Sequence, residues 1–166
     1  MKKECDVLVV GAGPAGSSAA RAAAKSGLKT ILIEEDKEIG NPVQCAEGIG
    51  AYLVPYMPFH VPKKLLKWKI DGMCFWAENL LIKKEGGMWS GYSIDRKEWD
   101  QWLAMLAAKE GVEIYSDTKL ISLECEAKYN VKKVVAIRCG KTIEFKPKYI
   151  VAVSYTHLTL PTKRIV

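Results

Sequence analysis

Residues 5–16 read "CDVLVVGAGPAG", and no other stretch narrows the fold as much. The valine-rich run is apolar almost throughout, as in a strand buried on both faces within a parallel sheet. Three glycines follow at once in the spacing GxGxxG. Gly11 permits a tight turn, Gly13 lets the backbone approach a pyrophosphate, and Gly16 lets the next helix lie close to the strand. The continuation "PAGSSAARAAAKSG" predicts a helix that opens at Pro14 and closes at Gly27, with Ala20 and Ala24 toward the sheet and Arg21 and Lys25 toward water. "KTILIEED" predicts a second parallel strand. Glu34 ends it about 20 residues beyond the glycines, where a carboxylate accepts hydrogen bonds from ribose hydroxyls and disfavours a 2′-phosphate. Glycine turns occur by chance, but a strand before, a helix after and an acid at this distance describe a dinucleotide-binding βαβ unit.

Composition excludes several function classes. The chain has 166 residues, 49% apolar and 27% charged, as in a soluble globular domain. Its 25 basic and 19 acidic side chains leave +6, too small an excess to choose between a phospholipid surface and nucleic acid, and no nucleic-acid partner is expected. Five cysteines form no CxxC pair, and the N-terminus shows no signal peptide, which predicts a reduced, cytoplasmic protein. No apolar run approaches the roughly 18 residues of a membrane span, so membrane contact is expected to be peripheral. His60 and His157 are too few and too isolated for a zinc site or a histidine-based triad, and no metal is expected.

After a simple βαβ unit a further helix and parallel strand should follow, yet residues 41–94 give prolines and short β-like pieces such as "KIDGMCFWAENLLIKK". These predict an insertion, with strands over about 52–94 belonging to a partial substrate domain. Trp76, Trp89 and Tyr92 are candidate strand residues lining its cavity, with plain core as the alternative. "VPKKLLKWKI" alternates lysines with Leu65, Leu66 and Trp68, a pattern that suits either an anionic bilayer or a solvated face with core anchors. "SIDRKEWDQWLAMLAAKEG" predicts a helix with Trp99, Trp102, Leu103, Leu106 and Ala107 on one face, a capping box of Asp95 and Glu98, and a stop at Gly111. "VEIYSD" resumes as a strand. "KLISLECEA", "KYNVKKVVAIRC" and "KTIEFKPKYIVAV", with turns near Asn130 and Gly140, predict an antiparallel meander closing back on the parallel sheet.

This order resembles the large flavoprotein class of aromatic hydroxylases and electron-transfer-flavoprotein dehydrogenases, in which the first βαβ unit holds the ADP half of FAD. The expected fold is therefore an α/β, glutathione-reductase-type FAD/NAD(P)-binding Rossmann-like fold with inserted β segments and an antiparallel meander. "DR" at Asp95 and Arg96 is similar to the arginine segment that runs alongside the flavin in that class. "PVQCAEGIG", following "EEDKEIG", closely resembles the geranylgeranyl reductase family of archaea and plants, which saturates isoprenoid double bonds with FAD and in archaea acts on digeranylgeranylglycerophospholipids.

That resemblance implies FAD contacts at Gly11, Gly13, Ala15, Gly16, Glu34, Cys45, Ala46, Gly48 and Arg96, and a backbone contact between Leu120 and adenine. It implies that the Cys45 thiol faces the substrate side of the flavin ring as a candidate catalytic group near the proton transfer. By spacing alone, Cys45 reads rather as an inert small hydrophobe, and it is the family motif around it that reverses this. Glu47 reads as a solvated loop acid and receives no role. The implied reaction is hydride transfer from reduced flavin to one carbon of an isoprenoid lipid double bond, with a proton delivered to the other and NAD(P)H or reduced ferredoxin as electron donor. A flavin monooxygenase or halogenase, an electron-transfer-flavoprotein dehydrogenase-like oxidoreductase, and a non-catalytic nucleotide-binding fragment are the alternatives.

The resemblance runs from residue 4 to about 152, where the family continues for roughly as long again. The expected organisation is thus an FAD-binding domain over 1–152, truncated, and a non-native tail over 153–166, "VSYTHLTLPTKRIV".

Overall fold

The computed structural model describes residues 2–127 and 130–153. In chain order its regular elements are β1 (Lys2–Val10), α1 (Pro14–Lys25), β2 (Thr30–Ile33), β3 (Gly48–Gly50), β4 (Leu66–Ile70), β5 (Gly72–Ala77), β6 (Leu80–Glu85), β7 (Gly91–Ile94), α2 (Arg96–Lys109), β8 (Glu113–Tyr115), β9 (Thr118–Ala127), β10 (Asn130–Arg138) and β11 (Lys141–Ala152). They form two compact units, Met1–Asn41 with Asp100–Val166, and Pro42–Trp99.

The first unit is built on a six-stranded sheet of order β8-β2-β1-β11-β10-β9. β8, β2, β1 and β11 run parallel, and β11, β10 and β9 form the expected antiparallel meander. Strand β11 serves both halves: Lys141–Phe145 pairs with β10, and Glu144–Ala152 pairs with β1. Alternation along β1 and β2 separates two apolar clusters. Val7, Val9 and Leu32 pack with Ala20 of α1 and Ala107 of α2, whereas Leu8, Val10, Ile31 and Ile33 pack with Val134, Ala136, Ile143 and Phe145 of the meander. Helices thus cover one face of the parallel strands and the meander covers the other, which is why the valine run of β1 has no polar side over Val7–Val10.

Both helices end in the same way. Leu28 N–H returns to Ala23 O and Gly27 N–H to Ala24 O after α1; Val112 N–H returns to Ala107 O and Gly111 N–H to Ala108 O after α2. With Gly27 at φ 80° and Gly111 at φ 93°, these are two Schellman motifs at the two predicted glycines. The hairpin between β10 and β11 pairs Arg138 with Lys141 across Cys139 and Gly140, whose φ values of 47° and 75° make the two-residue turn that suits strand twist. Asn130 opens β10, and residues 128–129 of the other expected turn lie outside the described residues.

One expectation in this unit changes. Arg21 does not point freely to water: its side chain is only 17% exposed and pairs with Glu110 at 3.4 Å. Val153, the first residue of the expected non-native tail, donates its N–H to Val10 O and packs in the helix-side cluster; residues 154–166 of that tail, His157 among them, lie outside the described residues.

The second unit holds the inserted β pieces. β3, β7 and β4 form an antiparallel sheet in that order, and β5 and β6 form a separate hairpin from Gly72↔Glu85 to Ala77↔Leu80. Within "VPKKLLKWKI", Val61 and Leu65 are buried anchors, Lys67 and Lys69 pair with Glu98 and Asp71, and Trp68 is 77% exposed. Trp76 on β5 is 80% exposed, Tyr92 on β7 is half-buried, and Trp89 lies in a 3-10 turn rather than a strand, with Phe75 at its ring edge. The glycines at 86 and 87, both at positive φ, turn the chain there before β7 can begin.

Candidate functional site

In the first unit the glycine turn is assembled by backbone geometry. Gly11 has φ 102° and donates its N–H to Ile33 O, so the turn leaves β1 directly over the end of β2. A Cβ on Gly16 would collide with the Gly11 carbonyl and sit 3.0 Å from the Val153 side chain, so the third glycine seats α1 on the sheet as expected. A Cβ on Gly13 would meet nothing within 4 Å, which is the open approach a phosphate needs. Gly13 is the N-cap of α1, with no side-chain cap and no acid in the first turn, and Pro14 follows. The first-turn N–H groups of Ala15 and Gly16 have no acceptor within the helix, and the helix dipole adds partial positive charge there. This cradle fits the pyrophosphate of a dinucleotide. Ser17, buried, braces it by donating its hydroxyl to Ala12 O.

Glu34 follows the end of β2 beside this turn. Its carboxylate accepts from Ala12 N–H at 2.5 Å and from Asp36 N–H at 3.2 Å, so it holds the glycine turn while keeping acceptor capacity in reserve. Its own backbone is clamped by the end of the adjoining strand β8 and the start of β9: Glu34 N–H donates to Tyr115 O, and Thr118 N–H donates to Glu34 O. Leu120, two residues along β9, is partly buried against the meander cluster. Burial, with Glu34 and Glu35 nearby, raises the Asp36 carboxyl above its ordinary value. Gly11, Gly13, Ala15, Gly16, Glu34 and Leu120 all belong to this unit.

The second unit holds Cys45, Ala46, Gly48 and Arg96. Cys45, Ala46 and Gly48 are exposed, and the loop that carries them passes into β3, which pairs Gly48 with Ser93 on β7. Two residues after Ser93, Asp95 caps α2 by accepting from Glu98 N–H at 2.9 Å, while Glu98 pairs with Lys67 at 2.7 Å. Arg96 is the first residue of the helix and half-buried.

Glu47 joins these parts, and so is no solvated loop acid. Half-buried at φ 57°, it donates its N–H to Cys45 Sγ at 3.3 Å, accepts from Ile94 N–H through its carbonyl at 2.8 Å, and accepts from Arg96 N–H through its carboxylate at 3.0 Å. Its neighbour in the motif, Gly48, drew attention through the family pattern; the role of Glu47 appears only when residues 47 and 96 are brought together.

Among the described residues, no group of histidine, cysteine or acidic side chains has the arrangement of a metal site, and no helix is long and apolar enough to cross a membrane.

Comparison with known proteins agrees with this geometry. A family model described as FAD dependent oxidoreductase matches residues 6–156. Over 151 residues the chain is 36% identical to digeranylgeranylglycerophospholipid reductase of Methanothrix thermoacetophila, covering 89% of this chain and 38% of that protein. The enzyme of the same name from Methanocaldococcus jannaschii is 37% identical over 151 residues, covering 89% and 37%. A geranylgeranyl bacteriochlorophyll reductase-like protein of Thermoplasma acidophilum superposes with a TM-score of 0.82 at 30% identity, over 93% of this chain and 40% of that one. A myxobacterial chondrochloren halogenase, at TM-score 0.74 and 19% identity over 92% and 37% of the two chains, shares the fold. The chain thus spans under two-fifths of the length of the curated relatives described here. The resemblance to geranylgeranyl reductases is borne out by these relatives, and the cofactor is FAD. The chain belongs to the FAD dependent oxidoreductase family.

Proposed function

We propose that this chain is the cofactor-binding portion of an FAD-dependent reductase that saturates the isoprenoid double bonds of archaeal-type membrane lipid precursors, as its relatives' names indicate. The carrying observation is the identity of 36–37% with digeranylgeranylglycerophospholipid reductases along nine-tenths of the chain, supported by a glycine cradle and acid of the matching geometry. Bound FAD supplies the hydride. The N–H groups at the start of α1 hold the pyrophosphate, and Glu34 holds the adenosine ribose while bracing the turn. Leu120 offers backbone to adenine. Ala46 and Gly48 keep the loop next to the flavin thin, Arg96 lies alongside it, and the Cys45 thiol stands near the carbon that receives the proton. The electron donor is NAD(P)H or reduced ferredoxin, and the lipid is met at a membrane surface by peripheral contact.

The test uses a protein of the relatives' full length that carries these residues. With FAD, a chemical reductant and digeranylgeranylglycerophospholipid, the parent gains two hydrogens per double bond by mass spectrometry. Cys45→Ala retains the flavin and still accepts electrons, yet saturates lipid about tenfold or more slowly. Saturation at the parental rate removes the catalytic role of the thiol. A parent that binds no FAD, or leaves the lipid unsaturated, sinks the whole reading.

A further inference from the structure

We infer that Glu47 is a positioning residue, a clamp that locks the Cys45 loop onto the start of α2 and so holds Cys45 and Arg96 in one fixed arrangement. The inference rests on the reading of those two residues as flavin contacts, but its geometry stands apart from that reading. Cys45 and Arg96 lie 51 positions apart in the chain, and Glu47 hydrogen-bonds to both, through Cys45 Sγ and Arg96 N–H. Its third bond, from Ile94 N–H to its carbonyl, extends the β3–β7 ladder by one step toward the helix.

Two features argue that this is positioning rather than ordinary helix capping. The helix already has a cap, since Asp95 accepts from Glu98 N–H. Glu47 also adopts φ 57°, a left-handed conformation that a residue with a Cβ takes up only where its surroundings require it. That conformation points the Glu47 N–H back at Cys45 Sγ while the side chain reaches forward to Arg96. A glycine would take the backbone conformation more readily and would lose the forward contact. An acid at this position therefore trades local ease for a bond between two distant stretches.

Amide hydrogen exchange, resolved by residue in the 166-residue chain without FAD, tests the clamp in Glu47→Ala and Glu47→Gln. In Glu47→Ala the amides of Arg96, Ile94 and residue 47 should exchange about tenfold or more faster together, because the lost acceptor also frees the ladder step and the thiol contact. Amides of Val7–Val10 in the other unit should keep their parental rates, which separates local release from unfolding. In Glu47→Gln the side-chain oxygen still accepts from Arg96 N–H, so all three amides should stay within about threefold of the parent. Parental rates at Ile94 and residue 47 in Glu47→Ala, or a Gln variant that behaves like the Ala variant, overturn the clamp. Titration of FAD into proteins of the relatives' full length that carry the same residues and substitutions, read by flavin fluorescence, adds the functional arm: affinity should fall about fivefold or more in Glu47→Ala and be restored in Glu47→Gln. Equal affinity in all three overturns the positioning role. FAD binding by none of them overturns the cofactor reading of this chain, while the exchange rates still decide the clamp.

Discussion

Glu34 and Glu47 are both acids at the edge of a loop, and both hold a backbone N–H, yet only one announces itself. Glu34 was legible because its partner is local to a recognisable unit: the distance from the glycine turn to the end of the second strand is set by one helix and two short connections. Glu47 was not, because Arg96 reaches it only through the pairing of β3 with β7, a register that no local pattern in residues 41–94 dictates. The structure adds a second duty to Glu34. Ala12 is buried, so removing the acceptor of its N–H by Glu34→Ala should cost about 1–3 kcal/mol of stability in the absence of any nucleotide. Glu34→Gln, which keeps an acceptor, should recover most of it. Denaturant unfolding of the three proteins without FAD measures this, and an Ala variant as stable as the parent would show that the bond to Ala12 carries no weight.

At the scale of elements, the chain was read best where periodicity and punctuation agree. α1, α2 and the meander were each marked by an apolar face or a run of alternation and by a glycine at the end, and Gly27 and Gly111 do close their helices. The capping box was half right: Asp95 caps Glu98 N–H, while the Glu98 carboxylate pairs with Lys67 on β4. Asp95→Ala should therefore weaken the first turn of α2 by about 1 kcal/mol, measured as a drop in the thermal midpoint. Glu98→Gln should have a smaller effect, since an exposed pair contributes little. An Asp95→Ala variant with the parental midpoint would mean that the Asp95 cap carries no weight at the helix start. The separate β5–β6 hairpin was not legible as such, because "GMCFWA" and "LLIKKE" carry no alternation that assigns one face to a core.

For the whole molecule, charge pairing around the main sheet sets the response to acid. The Lys148 ammonium and the Lys29 N–H hold the Asp6 carboxyl below its ordinary value; the Tyr115 hydroxyl and Lys3 do the same for Glu113, and Lys133 does so for Glu144. Stability from these three groups is fully present above the ordinary carboxylate range, near pH 4, and is lost as pH falls through their lower folded values. Asp36 has the opposite sign. Its raised folded value makes its ionised form unfavourable at neutral pH, and falling pH relieves that strain before the other losses begin. Thermal midpoints followed from neutral pH downward should show Asp36→Asn more stable than the parent at pH 7, and Lys148→Met with a shallower decline in acid. A neutral-pH midpoint for Asp36→Asn below the parent would reverse the assigned sign.

The double service of β11 also governs the order in which this sheet can be completed during synthesis. β1 leaves the ribosome well before its neighbour on one side, Glu144–Ala152, which lies more than 130 residues later. Until that strand emerges, β1 and β2 can pair with α1 against one face, while the Val10 edge and the side of Leu8 that will meet Phe145 have no partner. The nascent chain therefore carries the valine run of β1 with a bare edge until more than 130 further residues have been added. Pairing at such separation makes for slow closure and a long window in which an apolar strand edge lies open to aggregation or to a chaperone.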